Sequence, residues 1–179
     1  MALQFSKEAF EPLKEKEFKL YIISRFLYIM ALRMVGTVVA YRLFELTQNS
    51  FAIGLVGLSE FIPVFSLALY AGHVKDKNDK RTILLRGMLL YSLCVVALIA
   101  LTSSFTTNKI SNQSQVYFYY GVIFLTGVIR AFAGPTTHAI ISQLVPKNIL
   151  QFAANISSST WLIASIIGHA SAGFFIAWF

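Results

Sequence analysis

Long apolar stretches alternate with short polar ones along the chain, and five of the apolar stretches are long enough to cross a membrane. They cover approximately residues 18–43, 51–74, 82–101, 116–140 and 152–178. About 20 apolar residues in a helix span about 30 Å of hydrocarbon, and a helix satisfies its backbone hydrogen bonds internally. The runs are too continuous for barrel strands, which alternate over about ten residues. The pattern predicts an all-α transmembrane protein with about five spans.

The composition agrees with a membrane location. Of the 179 residues 56% are hydrophobic and 13% are charged, whereas an ordinary soluble domain has roughly 25% charged residues. The single cysteine, Cys94, lies in the third apolar run, so no disulfide framework is expected. Residues 1–17 mix acids and bases and precede a long run without a small-residue cleavage pattern. We therefore expect them to be a retained N-terminal segment and not a removed signal peptide.

The net charge of +7 reflects an uneven distribution of basic residues, and it does not require a nucleic-acid partner. Basic residues near span ends are retained on the cytoplasmic side. With a cytoplasmic N-terminus, the outer loops hold little beyond Arg42 and Lys109. The inner segments then hold Lys7, Lys14, Lys16, Lys19, Lys75, Lys77, Lys80, Arg81, Arg86 and Lys147. This asymmetry predicts that residues 1–17 are cytoplasmic.

The loop "AGHVKDKNDKRTIL" concentrates charge between the second and third spans. One interpretation is that its charges only set orientation. The other is that it resembles the loop motif of the major facilitator superfamily, written G-x-L-x-D-R/K-x-G-R/K-R/K. Val74 stands at the motif's Leu and Asp79 at its second Gly. The matching residues are Gly72, Asp76, Lys77, Lys80 and Arg81. The resemblance implies a conformational latch, in which Gly72 allows close helix approach and Asp76 accepts hydrogen bonds.

The resemblance extends over most of the chain. The segments "RFLYIMALRMVGTVVAYRLFELTQNSFAIGLVGLSEFIPVFSLALYAGHVKDKNDKR" and "GVIRAFAGPTTHAIISQLVPKNILQFAANISSSTW" are similar to facilitator transporters of the enterobactin-exporter type. The resemblance implies that residues 18–179 are a transmembrane N-terminal half built from inverted three-helix repeats. The last helix of the second repeat is missing. We therefore expect the chain to be truncated after the fifth span and to need partners: the sixth helix and the C-terminal half.

Charged and small residues inside the fourth and fifth spans are further candidates. Arg130 and Gly134 fit the superfamily's R-x-x-x-G pattern, and in proton-coupled relatives this arginine is associated with coupling. The alternative is a structural arginine bonded to helix carbonyls. Pro135 is expected to bend the helix. The fifth span has "GHASAG" where many exporters resemble G-P-x-x-G-G, and this departure weakens the inference of antiport.

Within that fifth-span segment, Gly168 and Gly173 are retained and are expected to serve helix packing. His169 stands in the place of the motif's proline. Its imidazole is either a group that titrates near neutral pH or a satisfied packing residue. We keep both interpretations and count His169 among the candidates for the coupling site or the substrate cavity.

Arg33 and Glu60 carry opposite charges in the first two spans. Each lies nine or ten residues from the outer end of its span, about 14 Å deep at 1.5 Å per residue. An unpaired charge is costly at that depth, so we predict that the two side chains form an ion pair. The alternatives are that Glu60 pairs with Arg130 or stands free in a cavity as a proton site.

No set of residues indicates an enzyme, a metal site or a cofactor. The three histidines lack metal-ligand spacing, and no catalytic constellation stands out. The predicted function is proton-driven export of a small amphipathic molecule, of the siderophore or drug class, by alternating access in a bacterial inner membrane. The alternative is a membrane assembly or regulatory subunit that resembles half a transporter and moves nothing. The expected partners are the substrate and the lipid bilayer, without nucleic acid.

Overall fold

The computed structural model describes residues 10–77, 79–103 and 110–178, with the side chains of residues 75–77, 80 and 134–139 outside that description. In the described part of the chain the regular elements are all helical. Five long helices follow a short 3-10 helix, Glu11–Lys14, and a second one, Lys147–Ile149, precedes the last. The long helices are α1 (Lys16–Thr47), α2 (Ser50–Lys77), α3 (Lys80–Thr102), α4 (Asn112–Leu144) and α5 (Leu150–Trp178). The predicted all-α class is confirmed.

Each long helix carries a stretch that is long and apolar enough to cross a membrane. Many large apolar side chains point away from the protein, among them Leu69 at 93% exposed and Phe65 at 73% exposed. Such side chains need lipid around them, because a water-exposed apolar surface of this extent is rare in soluble proteins. The predicted five spans are confirmed by the helices, which extend beyond the apolar runs at several ends.

The turn between α1 and α2 is tight and is made by local hydrogen bonds. Gln48 adopts a left-handed conformation with φ of 50°, and its backbone N–H donates to the carbonyl of Phe44 at 2.8 Å. The side-chain oxygen of Asn49 accepts from the backbone N–H of Phe51 at 2.9 Å, which satisfies a free donor at the start of α2. Two residues therefore suffice to reverse the chain.

The helices form two compact units, and each is described by itself. One consists of residues 1–38 and 138–179, and the other of residues 39–137. We call them the terminal unit and the central unit. Helices α1 and α4 contribute to both, because the division falls within each of them.

The terminal unit has an apolar cluster where several elements meet. Phe18 from the start of α1 packs with Ile141 from the end of α4, Val145, Ile149 and Ala153 from the start of α5. Phe18 and Ala153 are fully buried. This cluster fixes the first turns of α1 and α5 together within the unit.

The central unit is held by polar contacts of α4 as well as by apolar packing. The hydroxyl of Tyr120 donates to the carbonyl of Ala52 on α2 at 3.0 Å. The hydroxyl of Thr102, at the end of α3, lies 2.9 Å from that of the buried Tyr119. These contacts hold α4 against α2 and against the end of α3, and α4 carries Arg130.

Candidate functional site

The central unit contains an ion pair between two spans. Arg130 on α4 donates to the carboxylate of Glu60 on α2, and the side chains are 36% and 32% exposed. The predicted partner of Glu60 was Arg33, and this prediction is wrong: the partner is Arg130, which was the alternative. The physical reason is rotational. Equal depth in the membrane does not place two side chains on facing sides of their helices.

A glycine one turn from Arg130 brings the two helices together. A Cβ added at Gly127 would lie 2.5 Å from the backbone oxygen of Glu60 and 2.5 Å from Cγ of Pro63. Only a residue without a side chain tolerates that approach. Pro63 lies inside α2 and lacks a backbone N–H, so one backbone hydrogen bond of the helix is missing at this point. The sequence reasoning missed Gly127, although its spacing of three residues before Arg130 places both on one face of α4.

The terminal unit has its own polar contact between spans. The hydroxyl of Thr37 on α1 lies 2.7 Å from Nδ1 of His169 on α5. The same hydroxyl donates to the carbonyl of Arg33 at 3.0 Å. Because a hydroxyl has one proton, it accepts the second bond, and Nδ1 of His169 is then the donor. The imidazole is therefore held on α5 by a hydrogen bond from Nδ1 to α1.

A second glycine marks the close approach of α1 and α5. A Cβ added at Gly168 would lie 2.7 Å from the carbonyl oxygen of Met30 and 2.8 Å from Cβ of Arg33. The guanidinium of Arg33 lies over the ring of Trp161, 5.3 Å from its centre. Trp161 was not among the sequence-derived candidates. An aromatic residue on an apolar span carries no separate signal in the sequence.

Two of the predicted packing glycines have no described neighbour. A Cβ added at Gly72 or at Gly173 would meet nothing within 4 Å. Close approach to another described helix therefore does not explain why a glycine stands at either position. Helix α4 runs through Gly134 and Pro135, whose side chains lie outside the described part.

The charged loop between α2 and α3 is described in part. Asp79 precedes α3, and its carboxylate accepts from the backbone N–H of Thr82 at 2.9 Å and from the hydroxyl of that residue at 2.8 Å. The hydroxyl and then the backbone bond hold the pKa of the Asp79 carboxyl below its ordinary value. Asp79, which departs from the loop motif, therefore serves as the N-cap of α3. Among the motif residues, the side chains of Asp76, Lys77 and Lys80 are outside the described residues, whereas Arg81 is exposed.

No group of three or more metal-ligating side chains occurs among the described residues. Two of the contacts between spans that the described residues make lie beside a close-packed glycine and involve a charged residue or a histidine. A multi-pass helical membrane protein with ionisable contacts inside its spans is the class to which transporters and pumps belong.

Comparison of the sequence with known protein families places the chain in one of them. Residues 7–179 match the transmembrane secretion effector family of the major facilitator superfamily. The chain belongs to that family, and the predicted superfamily membership is confirmed. Because the family is one of transporters, the expectation that the chain is not an enzyme is also confirmed. The narrower enterobactin-exporter group stays a prediction.

One relative shows how much of a longer protein the chain matches. A staphyloferrin A transporter of Staphylococcus aureus (strain NCTC 8325 / PS 47) is 33% identical over 131 residues, which are 73% of this chain and 31% of that protein. The match therefore spans about a third of the length of this curated relative. No solved structure matches the chain with significance.

Proposed function

We propose that the chain is the N-terminal part of a proton-driven exporter of a small amphipathic molecule, of the siderophore or drug class, that works by alternating access. Family membership and a relative named as a staphyloferrin A transporter support transport. The observation that carries the coupling proposal is the ion pair between Glu60 and Arg130. The remaining parts would be a sixth helix and a C-terminal half.

The pair has the chemistry of a proton-linked switch. Glu60 is ionised while Arg130 donates to it, and a proton bound to Glu60 removes the charge that attracts the guanidinium. Both side chains are about one third exposed, so the pair is not sealed inside the protein. Gly127 on α4 packs closely against the backbone of Glu60 on α2. Breaking the ion pair should therefore alter the packing of α2 against α4. Protonation and helix movement are thereby linked.

Glu60→Gln in the full-length transporter tests this mechanism. We expect accumulation driven by a proton gradient to be lost, because glutamine neither releases nor binds the coupling proton. Substrate exchange across vesicles without a gradient should continue. The measurements are proton-driven uptake into inverted vesicles and exchange of labelled substrate.

The matched control is Glu45→Gln, which removes the acid of another ion pair in the same unit, with Arg42 at 2.9 Å. It should leave both assays unchanged. Unaltered proton-driven transport in Glu60→Gln would sink the coupling role. A full-length protein that moves no substrate in either assay would favour the alternative of a non-transporting subunit.

The proposed orientation has the N-terminus in the cytoplasm of a cell with an inner membrane. In a Cys94→Ser background, a cysteine at Asn78 should react with an impermeant reagent only from the cytoplasm. A cysteine at Asn112, the first residue of α4, should react only from outside. Reaction of both from one side contradicts the arrangement.

The latch proposal for the charged loop rests on its resemblance to the superfamily motif. Asp76→Asn in the full-length protein should slow transport without lowering expression, because the amide cannot hold a cationic partner as the carboxylate does. Transport at the unmodified rate would instead favour a loop that only sets orientation.

A further inference from the structure

Arg33 is a cation inside a membrane span, and the described carboxylates of its unit are far from it. They are Glu11, Glu15 and Glu17, all at the N-terminal end. Glu17, on α1 itself, precedes Arg33 by sixteen residues, which is about 24 Å along a helix. The guanidinium thus lies in a span without a described acidic partner in its own unit.

The described acids of the central unit have partners of their own. Glu45 pairs with Arg42, Glu60 pairs with Arg130, and Asp79 caps α3. A charged side chain within a span is costly unless it meets a partner, a protein dipole or a wet cavity. Among the described acids none is left to pair with Arg33, so an anion from another source can serve as its partner.

Among the described residues, the guanidinium of Arg33 is contacted by Trp161, and this contact leaves its hydrogen-bonding edge open. The guanidinium carbon lies 5.3 Å from the ring centre, an arrangement that uses the face of the cation. The five N–H donors of an arginine lie in the plane of the group, and stacking satisfies none of them. Trp161 is itself 41% exposed, so an apolar surface adjoins the unsatisfied edge.

The position of Arg33 is fixed on the side facing α5. Its Cβ lies 2.8 Å from the position that a Cβ on Gly168 would take, and its carbonyl accepts from Thr37 at 3.0 Å. Thr37 in turn contacts His169 at 2.7 Å. The stem and backbone of Arg33 are therefore held against α5, and a ligand does not have to bring the two helices together.

We propose that Arg33 and Trp161 form a subsite for the carboxylate of an amphipathic substrate. The planar guanidinium edge matches the two oxygens of a carboxylate, and the indole ring packs against the apolar part of the same molecule. This inference rests on the proposed transport function and names the chemical class of its substrate.

The test uses Trp161 as its own reporter. The chain has two tryptophans, so Trp178→Phe leaves Trp161 as the single source of tryptophan fluorescence. The 179-residue chain in lipid nanodiscs is titrated with hexanoate and with hexanamide, its uncharged counterpart of equal length. We expect a saturable fluorescence change with hexanoate and a response at least about tenfold weaker with hexanamide, the size expected for a lost charge-assisted hydrogen bond.

Two substitutions identify the cation. Arg33→Gln should weaken hexanoate binding by about tenfold or more, and Arg33→Lys should weaken it less, because lysine retains the charge without the planar edge. The control is Arg42→Gln, which removes another arginine of α1, already paired with Glu45. Its titration should match that of the parent. Circular dichroism before each titration establishes that the variant is helical.

Equal responses to hexanoate and hexanamide, or no saturable response, would overturn the subsite. So would hexanoate binding that is unchanged in Arg33→Gln. If Arg33→Gln does not fold, the comparison of Arg33→Lys with the parent decides, and equal affinity refutes the bidentate contact. If hexanoate does not bind but export still depends on Glu60, only the subsite is refuted. If hexanoate binds as expected but the full-length protein exports nothing, the transport proposal is refuted instead.

Discussion

Substitution of Gly127 by alanine tests whether the contact of α2 with α4 depends on one missing side chain. The new Cβ would lie 2.5 Å from the carbonyl oxygen of Glu60 and from Cγ of Pro63, and 3.2 Å from the carbonyl carbon of Glu60. Ordinary contact begins near 3.4 Å. Two of the three obstructing atoms belong to the backbone, so no side-chain rotation removes the clash. The helices must separate by about 0.9 Å at this point.

The expected free-energy change has two opposing parts. Alanine in place of glycine within a helix stabilises it by about 0.5 to 1 kcal/mol. Overpacking against atoms that cannot move aside typically costs about 1 to 3 kcal/mol. The clash is the larger effect here because it involves backbone. We therefore expect Gly127→Ala to destabilise the protein and to loosen the ion pair between Glu60 and Arg130.

Gly121→Ala provides the control within the same helix. Gly121 is exposed, and a Cβ there would meet nothing within 4 Å, so only the stabilising part applies. Thermal unfolding followed by circular dichroism in one detergent compares the two variants. The two variants differ by the clash alone, about 1 to 3 kcal/mol. At about 2 to 4 °C per kcal/mol for a chain of this size, their melting temperatures should differ by roughly 2 to 12 °C. Equal melting temperatures, or a lower one for Gly121→Ala, would refute the reasoning.

Three further predictions concern α5, the contact with His169 and the cap of α3. Gly168→Ala should lower the melting temperature, because its Cβ would meet backbone at 2.7 Å, whereas Gly173→Ala should not; the reverse order contradicts the packing. Thr37→Val should free Nδ1 of His169 and shift its ring resonances in NMR spectra, and unchanged spectra would exclude the bond. Asp79→Ala should speed hydrogen exchange in the first turn of α3, whereas unchanged exchange would argue against the cap; since the pKa of Asp79 is lowered in the folded protein, the unmodified cap should persist above about pH 4 and be lost as the pH falls through that lowered pKa.

The sequence was sufficient to predict the helices, but not the partners of the charged side chains. Arg33 and Glu60 were expected to pair because they lie at similar depth. A residue advances about 100° around a helix, so depth leaves open which neighbour a side chain faces. In the structure Glu60 faces Arg130 and Arg33 lies over Trp161. Only the packing of several helices together decides that rotation.

The glycines illustrate the same limit. Gly168 and Gly173 were both expected to serve packing, and a Cβ would meet close atoms only at the first. Gly127 and Gly121 look alike in the sequence, yet one touches α2 and the other does not. The role of Asp79, by contrast, could have been read from local chemistry. An Asp directly before a helix, with a free N–H three residues later, is a common N-cap.

The division of the chain between two units has a consequence for biosynthesis. The central unit is one continuous segment, and the two residues of its ion pair are 70 positions apart in the sequence. The hydrogen bond of the terminal unit joins Thr37 and His169, which are 132 positions apart. At about 5 to 20 residues per second, α1 waits roughly 7 to 26 s for its partner helix after leaving the ribosome. During that interval Arg33 has neither Trp161 nor the backbone beside Gly168 to hold it. The insertion machinery, or the water and lipid head groups at the membrane surface, must accommodate that charge until α5 arrives.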